Sequence, residues 1–501
     1  MKIESRAFLP IVFLIALVLR LSGIHARPIW YDEAFAILFA EKGLGDMLRG
    51  TLAPTGAGAA DIHPLGYYTL LWLWMSVFGN SIAAARLLSA ILNLLSLILV
   101  YKIAEKLFDV KTAIAAALLF SVVPAQIHFA QEIRMYAALE LWLLLAAYSF
   151  LQARAGNWKW WIAFSVSSAL AQYTHNLAAI HLMTLALTPV LERDWKTLRS
   201  LTLAGFAALV LYLPWALNLP AQFEKVNSFY WVERPGAERL FTLLLFYLPH
   251  LPLFGAMLAV GLLCAVLIVS LAAFQTYLAK MNGAESLRPG LWTAYLAFAP
   301  PLLLWLVSQK VPVYIERALL PSQAMFCIWL AWAFTQTRPP KFIQTFAAGL
   351  VGVSAVMGIY QHLAYKGFPY GPFRELGQSL QVRLEAGDVI VHSSKLSYLP
   401  SLYFDPTLPQ GFILDPPESS VDTLAPATRE ILGAHEYESV EQAAGDAKRV
   451  WFVIYQPSIE EYAAKGHVTH PHLEYLNAHY ELVTTEAWGD LNIYLFVKSA
   501  P

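Results

Sequence analysis

The sequence predicts a mainly α-helical, polytopic membrane bundle of about eleven spans, with interfacial helices in its first outer loop and a soluble α/β domain at its C-terminal end. Three observations predict it. The 501 residues are 58% hydrophobic and only 14% charged, with mean hydropathy +0.51, whereas a soluble globular domain is about 25% charged. Several runs stay apolar for about 17–25 residues, enough to cross roughly 30 Å of hydrocarbon. After about residue 363 these runs stop, and short apolar strands alternate with helical stretches and turns.

The expected spans are about 7–24, 81–101, 112–128, 136–152, 159–175, 177–191, 200–219, 253–279, 291–307, 318–335 and 342–362. Their short connecting loops set the orientation. One alternating set carries Lys2 and Arg6, then Lys102, Lys106 and Lys111, Arg154 and Lys159, Arg193, Lys196 and Arg199, Lys280 and Arg288, and Arg338 and Lys341. Short basic loops stay in the cytoplasm. The opposite, longer and more aromatic loops are therefore expected outside, together with the C-terminal region. The basic start, Met1 to Arg6, leads into the first apolar run with no Ala-x-Ala-like site after it, and reads as a retained signal anchor. A net charge of −1 points to no nucleic-acid partner. Cys264 and Cys327 both lie inside apolar runs and read as packing residues, not as a disulfide or a metal pair.

The first outer loop, about 25–80, is too long for a connector. It opens on Arg27-Pro-Ile-Trp-Tyr-Asp-Glu-Ala-Phe35, where Asp32 and Glu33 stand just past the first span. Paired carboxylates beside a membrane cost desolvation energy unless water or function uses them. Taken alone, a solvated loop explains them equally well. Ala34 to Leu48 has helical spacing, and Leu65 to Phe78, rich in Trp and Tyr but short for a span, suits a helix lying in the interface. Between them stands Asp61-Ile62-His63-Pro64, where His63 by itself reads as a helix-start residue.

The next outer loop runs Pro124-Ala-Gln-Ile-His-Phe-Ala-Gln-Glu-Ile-Arg-Met-Tyr136. Glu132 and Arg134 either pair with each other or serve a site at the membrane entrance. His175, in a tight turn, and His181 have no metal-ligand company and read as packing or turn residues. The 220–238 loop, with Glu224, Lys225, Tyr230, Trp231, Glu233 and Arg234, borders a headgroup or anchors the interface, and Leu240 to His250 suits a further interfacial helix. In the last outer turn, Lys310 and Arg317 place cations against the usual charge bias. A bound phosphate would account for them; so would pairing of Arg317 with Glu316.

In the C-terminal region Val389–Val391, Val450–Tyr455 and Ile493–Val497 read as buried strands, with helices at Phe373–Leu384 and Ser439–Ala447 and turns at Gly387-Asp388, Asp405-Pro406 and Asp415-Pro416-Pro417. Residues 1–365 and 366–501 are read as two domains, the second large enough for its own core. It has no Gly-rich phosphate loop and no Gly-x-Ser-x-Gly. Its histidines, His467, His470, His472 and His479, lack the acidic or Cys partners of a zinc site.

Four outer-loop motifs, in this order and on one expected side, resemble the membrane glycosyltransferases of the C-type (GT-C) fold, family 39-like, the protein O-mannosyltransferase and aminoarabinose transferase group. As topology the resemblance covers most of residues 5 to 340. Trp30-Tyr31-Asp32-Glu33-Ala34 is similar to the family's Asp-Glu motif. His63-Pro64-Leu65-Gly66-Tyr67-Tyr68 is similar to its His/Lys-Pro-Pro-x-Tyr-Tyr, with Leu65 for the second Pro. Ala125 to Tyr136 resembles a segment of bacterial members. Arg317-Ala318-Leu319-Leu320-Pro321 resembles Arg-Tyr-Leu-Leu-Pro, with Ala318 for Tyr. The carboxylate that relatives often place just before the Lys/His-Pro is here Asp61, one residue early.

The resemblance implies transfer of a sugar from a polyprenyl monophosphate to an acceptor at the outer face of the cell membrane, with inversion at the anomeric carbon. Asp32 would be the general base, and Glu33 would position the acceptor or hold Asp32's orientation. Arg134, Arg317, Lys310 and, with less support, His63 would meet the lipid phosphate, with Asp61, Glu132 and Tyr136 among the substrate contacts. Some branches use a divalent metal and others do not; Asp32, Asp61 and His63 are the candidate ligands. The acceptor stays open among protein, glycolipid and wall polymer. A flippase of lipid-linked sugars is the rival reading, and would use charges deep in its spans and internal repeats. A binding module on a membrane anchor is a third, for which eleven spans are excessive.

Overall fold

The computed structural model describes residues 8–56, 58–228, 231–415 and 424–498. The basic start at Lys2 and Arg6, Tyr230, and the Pro416-Pro417 turn lie outside the described residues. Every expected span contains a helix: Leu9–Leu21, Ile82–Leu107, Val110–Val122, Tyr136–Arg154, Lys159–Thr174, Ala178–Leu191, Trp195–Ala216, Gly255–Met281, Leu287–Ser308, Leu320–Thr335 and Lys341–Ala364. Among the described residues seven helices are long and apolar enough to cross a membrane, counting the last turn before Leu320 with its helix. Val110–Val122 and Pro124–Ala130 make an eighth if taken as one bent span, while Leu9–Leu21 and Ala178–Leu191 are shorter apolar helices. Polar side chains start several of them: Ser81, Asp109 and Asp194 each accept a hydrogen bond from the backbone three residues on.

The third expected span is not straight. It breaks at Val123, and its halves meet at 62°. Pro124 has no N–H to give to Phe120 O, and it forces Val123 into extended geometry. The freed carbonyls are taken by a side chain from another helix: Arg20 donates from Nη2 to Phe120 O at 3.1 Å and from Nη1 to Ser121 O at 2.7 Å. Its Nε donates to Asn93 at 2.8 Å. Asn93 and Gln126 in turn donate to Glu140, and Gln126 also to Gln323. This saturated network ties six helices together, so charges do lie inside the spans, but each has structural partners there.

The long 25–80 loop forms two helices, Tyr31–Ala40 and Gly43–Leu52, where the sequence suggests one; Gly43, at φ 82°, makes the break. The expected interfacial helices are Gly66–Phe78 and Glu238–Tyr247. Gly66 starts its helix against the neighbouring backbone: a Cβ there would stand 2.5 Å from Tyr173 O.

The C-terminal region holds a six-stranded sheet in the order Glu436–Tyr437, Gln410–Ile413, Val389–His392, Arg449–Tyr455, Leu491–Lys498, Tyr480–Trp488. The first four are parallel and the last two antiparallel. Arg449–Tyr455, buried after its first residue, is the apolar centre. One flank of this unit lies on the 25–80 loop. The Lys395–Phe404 helix packs against Tyr31–Ala40, and Tyr398, Leu399, Phe412 and Leu432 join the core that contains Phe35 and Phe39.

Candidate active site

Asp32 and Glu33 occupy the first turn of Tyr31–Ala40, where the helix dipole favours negative charge. Their partners differ completely. Glu33 is fully buried and bidentate to Arg86, at 2.9 and 2.7 Å, and it accepts a third bond from Ile133 N. Arg86, also fully buried, spends its other donors on the carbonyls of Ile24, Arg27 and Pro28. Of the two roles expected for Glu33, this saturation favours orienting the helix over touching a substrate.

Asp32 keeps 13% of its side chain exposed. Its Oδ2 accepts from Arg317 Nη1 at 3.0 Å and lies 3.5 Å from Arg134 Nε. Burial pushes its carboxyl up, but Arg134 and Arg317 outweigh that and hold it below the ordinary carboxylate range. Arg134 also donates to Tyr68 Oη at 3.1 Å. Arg317 lies against the rings of Tyr136, Trp30 and Trp231, at 5.2, 5.6 and 5.9 Å. Arg317 does not pair with Glu316, which faces Arg239 and Thr242 instead. Behind Arg317 lies a cavity of about 410 Å³ walled by Phe129, Trp231, Phe246, His250 and Tyr314.

Glu132 and Arg134 do not pair either. Glu132 is 2% exposed, and its Oε2 has no hydrogen-bond partner. Burial pushes its carboxyl up to about 7, against the pull of Arg317 and Arg27. Asp61 Oδ1 accepts from the backbone of Ile62 and His63 and meets His63 Nδ1 at 2.8 Å. Burial opposes ionisation of Asp61, yet His63 and these bonds bring it down to about 2. The ring of His63 stands edge-on to His175, whose Nδ1 accepts from Leu177 N in its turn.

Two sets of expected residues are not brought together with this cluster. Lys310 is exposed, and no contact joins its side chain to Asp32, Arg134 or Arg317 among the described residues; the turn after Leu287–Ser308 leaves it at the rim. Asp32, Asp61 and His63 do not form a metal-ligand set: among the described residues no three His, Cys, Asp or Glu side chains are placed to hold an ion. Asp32 is turned to two arginines and Asp61 to His63.

The sequence reading passed over Arg86, Arg20 and Tyr68, the last quoted only as part of its motif. A lone arginine inside an apolar run is the signal that could have found the first two. It also gave no role to Arg27, which contacts His128, His362 and the carbonyl of Gln131 and lies over the ring of Tyr370.

Comparison with known proteins follows the same lines. Residues 62–217 match the family model described as dolichyl-phosphate-mannose-protein mannosyltransferase. An undecaprenyl phosphate-alpha-4-amino-4-deoxy-L-arabinose arabinosyl transferase of Pseudomonas aeruginosa (strain UCBPP-PA14) is 29% identical over 184 residues, 34% of this chain and 33% of that protein. The protein of that name from Yersinia pestis (strain Pestoides F) is 27% identical over 275 residues, 50% of this chain and 46% of the relative. The chain thus spans between about a third and a half of the length of these relatives. The crystal structure of ArnT from Cupriavidus metallidurans in the apo state matches over 98% of both chains with TM-score 0.65 at 14% identity. The same protein bound to undecaprenyl phosphate gives 0.62 at 13% identity, again over 98% of both chains. The apo oligosaccharyltransferase of Archaeoglobus fulgidus gives 0.57 at 12% identity, over 100% of this chain and 75% of that one. The chain thus shares the fold of ArnT and of the Archaeoglobus fulgidus oligosaccharyltransferase, and its residues 62–217 are similar in sequence to the mannosyltransferase family model.

Proposed function

We propose that this multi-pass membrane protein transfers a sugar from a polyprenyl monophosphate to an acceptor at the extracytoplasmic face, inverting at the anomeric carbon, with Asp32 as general base. The observation that carries the reading is the setting of Asp32: a partly exposed, ionised carboxylate held between Arg317 and Arg134. The arabinosyl transferases among its relatives are named for an undecaprenyl phosphate sugar, which supports the donor class.

In this mechanism the acceptor hydroxyl gives its proton to Asp32 as its oxygen bonds to the anomeric carbon. The bond from that carbon to the phosphate oxygen breaks, and the phosphate leaves with the electron pair. A phosphate dianion needs no general acid; it needs cations. Arg317, backed by three aromatic rings, and Arg134 supply them without long-chain freedom to lose. The outer orientation rests on the basic loops, and the C-terminal unit, lying on the helix of Asp32, is suited to select the acceptor.

The test uses the purified chain in nanodiscs, wild type beside Asp32→Asn, with a panel of polyprenyl-phosphate sugars and release of polyprenyl phosphate as readout. Release by wild type alone is expected. Tight lipid binding without release from any donor would favour a flippase.

A further inference from the structure

Among the polar atoms buried without a hydrogen-bond partner in the described residues are Glu132 Oε2, an acceptor, and Trp30 Nε1, a donor; Arg134 Nε, buried likewise, already faces Asp32 at 3.5 Å. A buried polar group left unmade costs about 1–3 kcal/mol, more when charged, so both call for an occupant that satisfies them. Their positions are fixed. Ser89 Oγ donates to the carbonyl of Glu132 at 2.7 Å, and the next amide, Ile133 N, is held by Glu33. Trp30 precedes the catalytic helix and carries Arg317 on its ring. The charges that act on Glu132 are Arg317, Arg27, Glu33 and Asp32, and it acts in turn on Arg134, Tyr136 and Tyr370. Glu132 therefore stands among the groups that would handle the anomeric carbon and the phosphate. Glu33 has its oxygens filled by Arg86, and Asp32 faces two arginines. Among the oxygens of these three carboxylates, Glu132 Oε2 is the one that is buried with no hydrogen-bond partner.

The phosphate is the wrong ligand for it, because two anions would repel. A sugar ring is the right one, since it offers hydroxyl or amino hydrogens to an acceptor and hydroxyl oxygens to an indole N–H. We infer that Glu132, with Trp30, is the specificity-determining contact for the transferred sugar: Glu132 accepts a hydrogen bond from a hydroxyl or amino group of the ring, and Trp30 Nε1 donates one to a ring hydroxyl. The inference rests on the transferase reading. It explains why these two atoms are shut from solvent, since a sugar subsite that admitted water would invite hydrolysis of the donor.

The test uses the full chain in nanodiscs, with undecaprenyl phosphate for binding and undecaprenyl-phosphate-linked neutral and 4-amino sugars for turnover. Glu132→Leu removes the acceptor and should lower kcat/KM about tenfold or more, with the Kd for undecaprenyl phosphate unchanged within about twofold. Glu132→Gln separates the two chemistries. If the ring offers a hydroxyl, the amide oxygen retains most of the turnover; if it offers an ammonium, Glu132→Gln loses as much as Glu132→Leu, and only with the amino sugar. Trp30→Phe keeps a ring under Arg317 and should also cost sugar turnover and not lipid affinity, which keeps the test open if Glu132→Leu does not fold. The inference is overturned if the folded variants turn over every donor as wild type does, or lose undecaprenyl phosphate affinity in step with kcat/KM. A wild type that neither binds undecaprenyl phosphate nor releases it would sink the transferase reading instead.

Discussion

Asp32 and Glu33 are neighbours in one helical turn, and both meet arginine, yet they live in opposite surroundings. Glu33 and Arg86 are sealed, bidentate and fully buried. Asp32 shares two arginines through one oxygen, at 3.0 and 3.5 Å, and stays partly open. A charge pair is worth most to a fold when every lone pair is filled and water is gone; it is worth most to chemistry when one oxygen can still reach a reactant. The helix thus anchors itself with one carboxylate and presents the other.

The largest way to test that contrast is Asp32→Asn. Loss of a general base costs about 10²–10⁴-fold in rate, so turnover should fall by that much while the thermal unfolding midpoint and lipid affinity stay put. An equal loss of stability would make Asp32 a structural residue like its neighbour. Next comes Arg86→Met, which leaves Glu33 buried and unpaired at a cost of about 3–5 kcal/mol. The midpoint should drop sharply, and the double change Glu33→Leu with Arg86→Leu should regain much of it. A stable Arg86→Met protein with slow turnover would instead move Glu33 into the chemistry. A smaller effect is expected from Arg317→Lys. Lysine keeps the charge but loses the flat face against Trp30, Tyr136 and Trp231, so donor KM should rise about tenfold with kcat less affected. An unchanged KM would take the phosphate away from Arg317.

Much of this was legible in the sequence because hydropathy is local: each of the eleven apolar runs holds a helix, and the strands at Val389, Val450 and Ile493 lie where apolar β-branched runs stand. Asp32, Arg134 and Arg317 were legible as charges at helix mouths. Their pairing was not, for Arg317 meets Asp32 across 285 residues and Arg86 meets Glu33 across 53, and local pattern is silent on such distances. The break at Pro124 was missed because an apolar run reads the same whether straight or bent; what makes the bend tolerable, Arg20 on Phe120 and Ser121, comes from a different helix. The edge strand Tyr480–Trp488 was missed because its mostly exposed residues lack an apolar run.

The finest test is the pH profile, where the two open carboxylates should separate. In the proposed mechanism Asp32 works ionised, and it is held below the ordinary carboxylate range. Its contribution is therefore present above its own pKa and lost only as pH falls through it, below the usual ~3.9. Between about pH 5 and 8, kcat/KM, which reports the free enzyme, should show no limb from Asp32. Glu132 is pushed up to about 7, so it changes charge inside that window, and any limb seen there should belong to it. Glu132→Gln should flatten such a limb and leave the range below pH 5 as it was. A limb between pH 5 and 6 that survives Glu132→Gln would mean that Asp32 is not held down by its arginines. The difference drawn between a clamped base and an open sugar contact would then have to be given up.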